Sequence, residues 1–260
     1  MVLGLDTRLV LCVAILALRL AVLLAMAPLM DDRSVPLLWR LAVAVPLAWA
    51  LAPAALPHLA ALPVALSWPL LALEAVNSLI VGALLTFAMN LVFALVRFAG
   101  AIVGMQVGFA IVNAYDPQTD SQISIIGHFY YLLAVLLFFA LDAHHGVLRA
   151  LVSSLAVAPP FSTPDYGAAS LILLQAYSQV FALGLQAAAP VVLVLLLASA
   201  AMGVIVKTAP QIHVLVVGFP VQIAAGVFVL GASLLHFQGV VTRALSSTGD
   251  LLERLLAALT

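Results

Sequence analysis

Charge is what this sequence has least of. Nine basic and ten acidic residues are spread over 260, so charged residues make up 7% of the chain, against about 25% in a typical soluble domain. No soluble fold could coat itself in water-facing groups from so small a supply, and 66% of the residues are hydrophobic. The surface itself must be apolar. A formal net charge of -1 gives no footprint for nucleic acid or for an acidic substrate. One cysteine, Cys12, excludes an internal disulfide and offers no cysteine pair to a metal. Strict alternation of apolar and polar residues is also missing from the long Leu, Ala and Val runs, which favours spanning helices over a transmembrane barrel. No nucleophile–base–acid grouping, HExxH or phosphate loop occurs. Nothing therefore points to an enzyme or a cofactor.

What is present is a series of apolar runs with few interruptions. Spanning a bilayer takes about 20 mostly apolar residues, and residues 9–30 qualify. Ala25-Met26-Ala27 mimics a signal cleavage site, but Asp6 at the start and Arg19 within the run argue for a retained first helix over 8–30. That helix ends at the charged Asp31-Asp32-Arg33. Residues 37–51 make a short helix, followed by prolines 53, 57, 63 and 69, which predict a bent connection. Residues 70–97 form a long helix containing Glu74, Asn77 and Asn90, and 98–114 form a further one. Helix resumes over 124–141, breaks at 142–146 and runs on to 157. Pro159-Pro160 through Asp165 is a linker whose end suits a helix start.

Residues 166–206 then contain no charged residue at all. As one helix they would be about 60 Å long, twice the ~30 Å hydrocarbon core. Lys207, Pro210 and Gln211 mark a turn, for which Lys207 favours the cytoplasmic side. Residues 212–238 return as helix, and 240–260 form an amphipathic tail suited to an interface. The expected fold is all-α: a multi-helix membrane-type protein with bent N-terminal helices and a long C-terminal helical hairpin. So long an apolar pair fits a hairpin packed against other protein better than one bathed in lipid alone.

Four features carry candidate function. Gly100, Gly104 and Gly108 recur every four residues, the spacing that lets membrane helices approach closely, with Gln106 between them as a hydrogen-bonding group. Glu74 is the one acid well inside a long apolar run. It is either a functional intramembrane carboxylate or a helix-end group in a headgroup layer beside Trp68, and the residues alone leave both open. Asp142, His144 and His145, with His128 one helix earlier, invite a metal. Adjacent histidines face different ways on a helix and a helix of about 20 Å separates His128 from them, so no metal is expected. The longest polar stretch comprises Asn113, Ala114, Tyr115, Asp116, Pro117, Gln118, Thr119, Asp120, Ser121 and Gln122. Its turn chemistry suits either an ordinary extramembrane loop or one lining a water-filled path.

Several segments together resemble the FliR family of flagellar type III protein-export gate components and their injectisome counterparts. They are Arg19, Ala27-Pro28 and Val35-Pro36 with Arg40; Gly104-Met105-Gln106-Val107-Gly108-Phe109 leading to Asp116-Pro117; and Leu136-Leu137-Phe138-Phe139 before His144. Ser153-Ser154 and Pro159 follow in order. The most specific are Ala209-Pro210-Gln211-Ile212-His213-Val214 and Val217-Gly218-Phe219-Pro220-Val221. Where the family often has Asn-Gly-His, this chain has Asp142-Ala143-His144, which leans towards flagellum over injectisome only modestly. The resemblance covers essentially the whole chain. It implies a subunit that joins FliP-like and FliQ-like proteins, and an FlhB-like switch protein, in a channel for unfolded export substrates. That assembly would sit in the bacterial inner membrane at the flagellar basal body. It also implies a FliP-like part over 1–160 and a FliQ-like hairpin and tail over 161–260. By position, 113–122 would plug the channel and Pro210-Gln211 would face the cytoplasm near its entrance. The rival from a different class is a small secondary transporter with Glu74 on its path, although the halves show no convincing repeat.

Overall fold

A computed structural model describes residues 7–27, 36–58, 67–108, 125–162, 164–208 and 214–259. These are all-α. Seven α-helices are present: α1 Thr7–Met26, α2 Leu37–Ala55, α3 Trp68–Val107, α4 Ile125–Ala140, α5 Ala143–Val157, α6 Tyr166–Thr208 and α7 Val214–Ala258. Five of them, α1, α2, α3, α6 and α7, are long and apolar enough to cross a membrane.

Several helices run further than the sequence indicates. The boundary expected between 97 and 98 is absent, since Trp68–Val107 is one 40-residue helix. Arg97, where the first segment was expected to end, stays exposed on this helix, and its guanidinium lies 5.1 Å from the centre of the Tyr131 ring, a cation–π contact. The hairpin's return and the tail are likewise one 45-residue helix. Gly239 between them does not interrupt it, since one glycine costs a helix only about 1 kcal/mol. The tail is thus no separate surface helix: Leu252, Leu255 and Leu256 are buried on its inner face. Helix α2 continues through Pro46 and Pro53 into a tighter turn at Leu56–His58. Pro69 stands in the first turn of α3, where a missing N–H costs nothing. The break expected over 142–146 shrinks to Leu141 and Asp142, with His144 and His145 already helical.

The chain divides into two compact units. One takes 1–91, 142–177 and 246–260; the other takes 92–141 and 178–245. In the first, α1 packs on α2. The buried residues of α2 are Ala44, Ala48, Ala52 and Ala55, small side chains at the four-residue spacing that brings helices close. Helix α3 presses equally near to α1, since a Cβ added at Gly82 would lie 2.9 Å from the Arg19 carbonyl oxygen. In the second unit, α4 buries Ile126, Tyr130, Ala134 and Phe138. Tyr130 stacks on Phe237 at 4.1 Å and Phe93 meets Phe138 at 5.7 Å.

Candidate functional site

Glu74 lies in the second turn of α3, and only 3% of it is exposed. It is therefore covered by protein, while Trp68 nearby is exposed. Arg19 of α1, itself 1% exposed, brings its Nη2 to 4.0 Å from Glu74 Oε1. Ser78, one turn along α3, donates its hydroxyl to the same oxygen at 2.9 Å. The other oxygen, Oε2, accepts the backbone N–H of Phe161 at 2.6 Å. Arg19 also donates to the Ser154 hydroxyl and, at 3.3 Å, to the Ala158 carbonyl. Its Nε has no hydrogen-bond partner among the described residues. A buried pair of this kind adds little net stability, but removing one partner strands the other charge at a cost of about 3–5 kcal/mol.

The chain that Glu74 grips is a tight turn. Ser162 N–H donates to the Pro159 carbonyl at 3.1 Å, and Phe161 has φ 67°. With Pro160 at the second position, this is the pattern of a type II turn, whose third position normally falls to Gly or Asn. A phenylalanine there is strained by roughly 1–2 kcal/mol. Asn77 adds a second hold: its Nδ2 donates to the Ser162 carbonyl at 3.0 Å, and its Oδ1 accepts the Tyr166 hydroxyl at 3.0 Å. Asp165 then starts α6 by accepting the N–H groups of Gly167 and Ala168. This is the start expected from the sequence. Arg19 as the partner of Glu74, and Phe161 as its cargo, are the residues the sequence reading missed. One signal was available: a lone Arg and a lone Glu in two separate apolar runs must each find a partner.

The polar stretch 113–122 lies outside the described residues, but both its flanking helices are visible. At Gly100 an added Cβ would run into the Gly127 backbone on α4. Gly104 is buried. Gly108 does a different job: with φ 94° it ends α3, donating its N–H to Met105 at 3.3 Å. Beside it, Gln222 of α7 donates to the Gln106 carbonyl at 2.7 Å and to Ser199 of α6 at 3.2 Å. Here the Gln106 backbone carbonyl, not the side chain that the sequence singled out, makes the contact. A Cβ at Gly226 would meet Val107 at 2.8 Å, so the end of α3 is seated closely on α7.

In the second unit α6 and α7 form the expected hairpin. His236 meets the Gln186 carbonyl at 3.0 Å while Gln222 meets Ser199, so numbers fall on one helix as they rise on the other. Lys207 is in the last turn of α6; Pro210 and Gln211 lie outside the described residues.

Asp142, His144 and His145 converge more than expected. The two rings are 4.1 Å apart, and one ligand atom from each of the three residues lies within 4.8 Å of the others. Asp142 makes this possible with φ 53° immediately before α5. Two imidazoles and a carboxylate are donors that suit zinc or copper. The Asp142 and His145 side chains are, however, 74% and 57% exposed, and the start of a helix is the positive end of its dipole. We assign no metal to them.

A family model for bacterial export proteins, family 1, matches residues 10–248. The chain belongs to this family. Among similar proteins of this export family, flagellar biosynthetic protein FliR of Pectobacterium carotovorum subsp. carotovorum is 32% identical over 71% of this chain and 70% of its own length. FliR of Escherichia coli (strain K12) is 31% identical, covering 83% and 81%. FliR of Bacillus subtilis (strain 168) is 32% identical, covering 71% and 73%. The match runs through all seven helices.

Proposed function

We propose that the chain is a subunit of a flagellar type III export gate in the bacterial inner membrane, where it joins FliP-like and FliQ-like subunits around a channel for unfolded protein. An FlhB-like switch protein is a further partner. The observation that carries this reading is the family match across residues 10–248, among relatives whose printed name is flagellar biosynthetic protein FliR. A second supports it: in the most apolar stretch of α6 only 11% of residues are buried, which leaves a long face for neighbouring subunits to cover. Residues 1–160 act as the FliP-like part and 161–260 as the FliQ-like part. This division follows likeness to those subunits and does not coincide with the two compact units.

Residues 113–122 are the plug. Their polar, proline-bearing composition is that of turns, and the seat of α3 on α7 anchors the helix that leads to them. Lys207, Pro210 and Gln211 turn at the cytoplasmic side. The chain carries no nucleotide-binding motif, so the driving energy comes from another component. Deleting residues 114–121 is expected to raise ion leak in cells carrying the complete gate. Unchanged conductance, in a gate that still assembles, would refute the plug. Purification in detergent tests the wider reading: a gate subunit copurifies with two different hydrophobic proteins, and a stand-alone transporter does not.

A further inference from the structure

Glu74 is the most buried acid described in the chain, and nothing in the proposed channel uses it. It is not poised to carry protons along a path, because its two oxygens are committed to Arg19, Ser78 and the Phe161 N–H. What stands out is the object it holds. Phe161 occupies a left-handed conformation that a side chain with a Cβ adopts only when its surroundings impose it. The carboxylate grips the N–H of that very residue. Arg19 takes hold three residues earlier, at the Ala158 carbonyl, and Asn77 takes hold at Ser162 and Tyr166. Helix α6 begins at Tyr166.

We infer that Glu74 is a positioning residue: together with Arg19 and Asn77 it clamps the turn at 158–162 in a backbone shape Phe161 does not hold unaided, and so fixes where the C-terminal hairpin starts. The buried charge pair then has a purpose beyond its own weak net stability. A carboxylate can accept several hydrogen bonds at once, and Arg19 stands against it to orient it for the task. The consequence for export rests on the gate reading; the clamp itself does not.

The test removes the charges without stranding either one. In Arg19→Met/Glu74→Met both are replaced by apolar groups of similar length, an exchange buried pairs often survive. Phe161→Gly is then added, because glycine adopts φ > 0 freely. The detergent-purified full chain is digested with proteinase K, scoring cleavage at 159–165, and the same variants are scored for export in cells lacking the native copy. We expect about tenfold faster cleavage and a similar loss of export in the double variant. The added glycine should restore both by at least half. Wild-type cleavage in the double variant, or faster cleavage that glycine leaves unchanged, overturns the clamp. Restored protection without any effect on export overturns its link to the gate while leaving the clamp standing. If the wild-type chain itself proves dispensable for export, the gate reading fails and the digestion result still stands.

Discussion

Helices α3 and α6 are nearly twins in length and apolarity, at 40 and 43 residues, yet their surroundings differ. In its most apolar stretch α3 has 61% of its residues buried, against 11% for α6. Hydropathy cannot explain this, because it ranks the two together. Their small and polar residues can. Helix α3 carries Gly82 against the Arg19 backbone and Gly100 against Gly127, and it buries Glu74, Asn77, Ser78 and Thr86. In α6, Gly184 fits beside Phe98, but an added Cβ at Gly203 would meet nothing within 4 Å. Large apolar groups such as Leu193, Leu196 and Leu197 stand exposed. Among apolar helices, close-packing notches and polar handles decide which one its own chain encloses.

The comparison can be broken from the α3 side first. Glu74→Ala strands Arg19 in the interior and is expected to destabilise the chain by about 3–5 kcal/mol, read as a lower thermal midpoint in detergent and less accumulated protein. A stability unchanged from wild type would mean that Arg19 finds water after all. Gly100→Ala comes next. Its new methyl group must displace the Gly127 backbone, which cannot yield as a flexible side chain would, so a loss of about 1–3 kcal/mol is expected. Gly203→Leu on α6 is the smallest for the isolated chain, within about 0.5 kcal/mol. It is also the most informative about the partners. A drop in copurified subunits with the chain's own stability intact means that protein covers this face. No change in either quantity means that lipid does.

Much of the fold was legible in advance. Apolar run length marked each helix, Asp165 marked the start of α6, and the absence of charge over 166–206 marked one overlong helix. Boundaries were harder. The boundary expected at Arg97 is absent, because the helix runs on with Arg97 exposed on its surface and its guanidinium over a tyrosine ring of α4. The boundary expected between 238 and 240 is absent too, because packing on either side carries the helix through Gly239. His144 and His145 looked divergent on an ideal helix, yet their rings stand 4.1 Å apart, and the left-handed Asp142 before them sets its carboxylate alongside.

The site was less visible than the fold. Glu74 drew attention as an acid in an apolar run, and its burial justified that attention. Its role depended on a contact that local pattern cannot supply. Arg19 reaches Ser154 across 135 positions of sequence, and Phe161 reaches Glu74 across 87. Of the glycine face, Gly100 lies against the Gly127 backbone, while Gly108 ends the helix with φ 94°, because four-residue spacing cannot say where the helix stops.

By itself, then, the sequence determined the class of surface and the set of helices. Both follow from averages over many residues: too few charges to face water, and runs long enough to span. Tertiary structure alone decided which apolar helix the chain encloses and which it leaves for others. It also decided that the one buried acid among the described residues accepts the N–H of Phe161. Those outcomes depend on single long-range partners, a carbonyl against a glycine or an N–H against a carboxylate. A gap of an ångström reverses them without changing any average.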